Sequence, residues 1–107
     1  MSLRLPGRIT IERAVAATGL QPVELEIIGE MASSLGHAGR RVEHAMARLR
    51  ESDVPPASAG RDALLKAAAK AVHAYFIQRE LCGLRRHDDV IREMGIPRAV
   101  LVRLGAL

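Results

Sequence analysis

The segment from Pro22 to Ser52 constrains the fold more than any other part of the chain. Leu25, Ile28, Ala32, Leu35, Gly39, Val42, Met46 and Leu49 follow one another at alternating intervals of three and four residues. That spacing is a heptad seam, which keeps one stripe of a helix turned towards a partner helix over several turns. Both ends suit a helix. Pro22 fits the first turn, where its missing N–H is not needed, and Glu24, Glu26 and Glu30 place negative charge near the positive end of the helix dipole. Arg48 and Arg50 do the converse at the far end. Gly29, Gly36 and Gly39 lie inside the segment, and each sacrifices about 1 kcal/mol relative to Ala. The heptad phase passes through them without a slip, which predicts one continuous helix; the alternative is a break at Gly36 or Gly39. With Ala32, Ser33 and Ala38 these glycines form a smooth patch where a second backbone can come close.

A second helix is expected after the loop Ser52–Gly60. Pro55 forces Val54 out of helical angles, and the Pro55-Pro56 pair favours an extended rise. From about Arg61 to Leu81 or Cys82 the chain is rich in Ala, with Leu65, Ala68, Val72, Tyr75 and Phe76 on an apolar face. The two helices read as an antiparallel hairpin. Past Gly83, Asp88 and Asp89 are candidate caps for a helix running to Met94, with Gly95 as its stop. Pro97 opens another that ends before Gly105. A short helix over Ile11–Thr18, with Thr10 as cap and Gly19 as stop, precedes the seam. No strand-like alternation occurs. The expected architecture is all-α: one domain over residues 1–107, a long helical hairpin with short N- and C-terminal helices packed on it.

Length suggests a partner. A 30-residue helix spans about 45 Å, whereas a compact chain of this size has a radius of gyration near 13 Å. Either the helix kinks at a glycine or something covers its overhang, and a two-fold homodimer is the commonest solution. The expected helix–helix interface is the seam itself, Leu25, Ile28, Ala32, Leu35, Gly39, Val42, Met46 and Leu49. Another protein partner is compatible with the same surface.

Composition narrows the function classes. Cys82 is the only cysteine, so a disulfide scaffold is excluded. No stretch of about 18 residues is free of charge, and Met1–Arg8 has no apolar run behind its arginines, so neither a membrane span nor a secretory signal is expected. A cytoplasmic setting follows. The chain carries 16 bases against 12 acids, a net charge of +4, with no run of five like charges to make a basic arm. Aromatics amount to 2%, Tyr75 and Phe76 alone, which leaves little for base stacking.

Catalytic and metal patterns are weak. None of His37, His44, His73 or His87 has an acid three or four residues away, the spacing a helical metal site uses. Arg40, Arg41 and Arg48 surround the first two. Cys82, at a helix end, has Arg79, Arg85 and Arg86 nearby, which favours a thiolate, yet a small buried hydrophobe explains it as well. Asp88 and Asp89 are adjacent and point apart, so they cannot share a proton. The reading is a non-enzymatic helical protein with no cofactor and no metal. The alternative is a helix-turn-helix-like DNA-binding regulator over Asp89–Leu104, with Arg98 and Arg103 as nucleic-acid contacts. Ile91 at the close crossing of the first helix and the apolar run Ala99–Val102 count against nucleic acid as the partner. The C-terminal Pro97–Leu107 is too short and too weakly charged for a membrane anchor.

Two runs carry a family likeness. Leu25-Glu26-Ile27 with Ala32-Ser33-Ser34-Leu35-Gly36-His37-Ala38-Gly39-Arg40-Arg41-Val42-Glu43 is one. Gln78-Arg79-Glu80-Leu81-Cys82-Gly83-Leu84 with Gly95-Ile96-Pro97-Arg98 is the other. Over most of residues 23–105 the chain resembles a group of short uncharacterised bacterial helical proteins. The resemblance implies a shared fold of unknown role and brings no catalytic or binding residues. In a closed hairpin, Leu35–Arg41 lies opposite Gln78–Cys82, so Arg79 and Glu80 are expected to pair with Glu30 or Arg41. Such a pair is either an ordinary structural salt bridge or part of a polar pocket for a small anion.

Overall fold

Pro22–Glu51 forms one unbroken 30-residue helix, α1, in the computed structural model of the chain, which describes Ala17 and residues 19–106. The Gln21 N–H donates to Glu24 Oε1 at 2.8 Å, so the acidic first turn is half of a capping box as well as a dipole partner. Gly29, Gly36 and Gly39 do not interrupt the helix.

The second helix, α2, spans Ala59–Leu81 and starts two residues ahead of the expected Arg61 because Ser58 is its cap. Ser58 Oγ accepts the Arg61 N–H at 3.1 Å and donates to the Pro55 carbonyl at 2.6 Å. Ser52 Oγ holds the Val54 N–H at 3.1 Å, and Ala57 takes a positive φ of 62° to complete the turn. Arg61 donates across the hairpin to the Leu49 carbonyl at 3.2 Å, satisfying an otherwise open acceptor at the end of α1.

Two further helices end in the same way. At the end of α2, Gly83 has φ +89°, Leu84 N–H donates to the Arg79 carbonyl at 2.9 Å and Gly83 N–H to the Glu80 carbonyl at 3.0 Å. This is a Schellman motif, and it needs a residue that tolerates left-handed angles. The next helix, α3, spans Asp88–Glu93 and closes identically on Gly95, with Ile96 N–H on the Ile91 carbonyl at 3.0 Å. Asp88 and Asp89 do not cap α3 as expected. They lie inside its first turn behind His87, and Asp89 Oδ1 accepts the N–H of neighbouring Val90. The last α-helix, α4, covers only Arg98–Leu101 and passes into a 3-10 turn at Leu104–Ala106. The expected helix at Ile11–Thr18 lies outside the described residues, Ala17 excepted, and among those described there is no strand.

The chain divides into two compact units, residues 1–30 and 31–107, with α1 contributing to both. In the second unit α1 supplies Val42, Met46 and Leu49 to the core, and α2 supplies Leu65, Ala68, Ala69 and Val72. Ile96 and Val100 close it from the C-terminal side, with Val42, Val72 and Val100 fully buried. Alanines at 68 and 69, both at zero exposure, let the neighbouring elements approach α2 closely. In the first unit the start of α1 keeps Val23, Ile27 and Ile28 about half or more exposed.

The small-residue patch behaves differently from the close backbone crossing expected of it. A Cβ built on Gly39 would sit 3.4 Å from the Tyr75 ring, an ordinary contact. One on Gly36 would meet only the Arg40 guanidinium, and one on Gly29 would meet nothing within 4 Å. An aromatic ring, rather than a second backbone, fills the space over Gly39.

Candidate functional site

The seam divides into a used and an unused part. Val42, Met46 and Leu49 are buried within the chain's own hairpin. Leu25, Leu35 and Gly39 are half-buried, while Ile28 and Ala32 are exposed. Around residues 22–30 apolar side chains stand on opposite faces of α1, Val23 and Ile27 on one and Leu25 and Ile28 on the other. Glu24 and Glu26 lie between these two apolar faces.

Beside Ala32, Leu35 and Gly39 runs a groove of about 610 Å³. Ala32, Leu35, Gly36 and Gly39 form its α1 side, and Tyr75, Val90 and Met94 the other. Arg40, Glu43 and Glu93 give it a charged rim. The Tyr75 ring packs on Gly39, and α1 has no large side chains at 32 and 36 to fill the rest of the space towards α3.

A polar cluster occupies the corner between α2 and α3. Tyr75 and Phe76 lie one helical turn before Arg79 and Glu80 in the last turns of α2. The Gly83 turn sends the chain back across them, and the His87 ring stacks on Phe76 with centroids 4.1 Å apart and planes 2° from parallel. Arg79 is buried, at 8% exposure. Its Nε–H donates to His87 Nδ1 at 3.0 Å and its Nη2 to the Arg86 carbonyl at 2.8 Å. Because Nδ1 accepts, the imidazole proton of this arrangement is on Nε2, which donates to Glu80 Oε2 at 2.9 Å. Asp89 Oδ1 lies 3.8 Å from Arg79 Nη2, and the guanidinium sits 5.8 Å from the Tyr75 ring centroid.

Arg79 and Glu80 therefore take their partners from the segment after α2 and not from Glu30 or Arg41. The reason is the Schellman turn, which reverses the chain within four residues and brings His87 over the same face. Helical spacing cannot reveal contacts seven and eight residues apart across a turn. The one sequence signal was Gly83 following a run that ends in an aromatic and a charged pair.

At the C-terminus Arg103 is held on two sides. Its Nη2 donates to Asp62 Oδ1 at 2.9 Å and its Nη1 to the Ala99 carbonyl at 2.8 Å. Arg98 is exposed at the start of α4, whose Val100 is fully buried. His37 contacts Arg40 at 3.3 Å, and Cys82 is half-buried at the end of α2. Among the described residues no three His, Cys, Asp or Glu side chains come together as a metal site, and no helix is long and apolar enough to cross a membrane.

A family model described as "Family of unknown function (DUF6665)" matches residues 1–107. No curated protein and no solved structure matches the chain.

Proposed function

The chain belongs to this family of unknown function, and from its geometry we propose a non-enzymatic, cytoplasmic interaction module that works as a homodimer through α1. The groove carries the reading. Seam residues Ala32, Leu35 and Gly39 line a groove with a charged rim that the chain's own α2 does not fill. The same helix offers aliphatic side chains of suitable size, since Val23, Ile27 and Ile28 are 60%, 52% and 49% exposed. In a two-fold dimer each protomer seats the apolar start of its α1 in the other's groove, so both features are buried at once.

Charge favours an antiparallel arrangement of the two α1 helices. The first nine residues of α1 carry Glu24, Glu26 and Glu30 and no base, whereas Arg40, Arg41, Arg48 and Arg50 lie further along. Antiparallel pairing sets acidic ends against basic stretches, and parallel pairing sets like against like. The alternative, DNA binding through Arg98 and Arg103, has less support. Arg103 already has an acidic partner in Asp62, and α4 offers four residues where a recognition helix needs several turns.

Sedimentation velocity on Ile28→Glu tests the dimer. The variant places a charge in the proposed apolar contact but leaves the core untouched, so it should sediment as a monomer with unchanged helicity. If it associates like the unmodified chain, the contact is not where this reading puts it.

A further inference from the structure

The corner between α2 and α3 holds a second feature, unconnected with α1. A pocket of about 550 Å³ opens there, with Arg79 at its back and Arg85, Arg86 and Arg92 around it, against Asp88 and Asp89. Four arginines and two aspartates are among its lining residues, a net charge of +2. We propose that this pocket binds a phosphate monoester of a small molecule.

The orientation of Arg79 carries the inference. Its side chain is 9% exposed, and two of its three nitrogens are committed, Nε to His87 and Nη2 to the Arg86 carbonyl. Nη1 hydrogen-bonds to none of the described residues. No buried side-chain nitrogen or oxygen among them lacks a partner, so Nη1 keeps some exposure, and Arg79 is one of the residues that line the pocket. A buried guanidinium fixed on two edges and open on the third is preorganised for an anion, because the entropy of ordering it is already spent. Mobile arginines on a surface lack that advantage.

Charge and geometry select the class of anion. A phosphate monoester carries about −1.5 to −2 at neutral pH and three strong acceptor oxygens, which matches the pocket's excess charge and its several separate forks. A single carboxylate supplies half the charge and two oxygens. Asp89 stands 3.8 Å from Nη2, beyond hydrogen-bond range, and is 63% exposed, so it offsets charge without occupying a donor. It limits affinity, and its neutral isostere should raise it.

The test is a titration of the full chain with inorganic phosphate and, separately, with phosphoserine, followed by ¹⁵N-resolved amide shifts. Acetate serves as the carboxylate control. Saturable shifts confined to Gly83–Arg92 are expected with both phosphates and none that saturate with acetate. Losing one charge-assisted hydrogen bond weakens binding about tenfold, the effect expected of Arg92→Gln, an exposed position where folding is not at risk. Asp89→Asn should tighten binding. The proposal is overturned by absence of saturation, by shifts spread over arginines throughout the chain, or by Arg92→Gln and Asp89→Asn both leaving the curve unmoved. Dimer and monomer should behave alike, since none of these residues lies on α1.

Discussion

Replacing Arg79 by Met should destabilise the chain more than any other single change at its polar corner. Met keeps the apolar stem packed beside Tyr75 and Phe76 but removes the donors to His87 Nδ1 and the Arg86 carbonyl. Hydrogen bonds from a charged donor contribute about 1.5–3 kcal/mol each. Water can replace part of the lost pairing in this open corner, which brings the expected loss to roughly 2–4 kcal/mol. For a domain of this size each kcal/mol lowers Tm by about 4–8 °C, so a drop of roughly 8–32 °C should follow. Urea unfolding monitored by circular dichroism measures it. Arg79→Lys is the informative companion, because it retains the charge but cannot reach both acceptors with one ammonium. It should recover less than half of the loss. A midpoint for Arg79→Met within about 0.5 kcal/mol of the unmodified chain, the range of an ordinary surface substitution, would refute the view that this guanidinium organises the corner.

Two glycines should respond in opposite directions to the same substitution. Gly39→Ala places its Cβ at ordinary contact from Tyr75, so it should be neutral or stabilising by up to about 1 kcal/mol, whereas Gly39→Leu should displace the ring and lose roughly 1–3 kcal/mol. Gly60→Ala puts its Cβ 2.8 Å from Val54 Cγ1, a stiff branched side chain, and should destabilise by about 1–3 kcal/mol; thermal unfolding decides both cases. Arg103→Gln breaks one exposed pair with Asp62 and should change stability by less than about 1 kcal/mol. Binding to random duplex DNA at about 50 mM salt, where phosphate contacts are strongest, should be undetectable; binding that weakens on Arg98→Ala would favour the DNA-binding alternative.

The helices were legible where their determinants are local. Pro22, the acidic first turn and an uninterrupted heptad phase mark α1, and the phase alone was enough to carry it through three glycines. Gly83 and Gly95 as stops were equally readable, because a left-handed residue is what a helix end of that kind requires. The start of α2 was misplaced by two residues because Ser58 and Gly60 both suit a helix entry, and only the hydrogen bond to Arg61 separates them. Aspartates 88 and 89 looked like caps by type, yet the turn delivers His87 to that position.

The candidate sites were harder to read. Heptad spacing identifies Leu25 to Leu49 as one stripe but cannot say which part of it the chain uses for itself. That depends on α2 being seven residues shorter than α1. Val23 and Ile27 fall off the seam and were not singled out, although the proposed dimer relies on their exposure. The Arg79–His87–Glu80 chain depends on a reversal that no periodicity encodes.

The most direct test of the account is the mass of the unmodified chain by sedimentation equilibrium at micromolar concentration. A homodimer built through α1 predicts twice the 11.6 kDa chain mass. A single species at 11.6 kDa across the same range would contradict it.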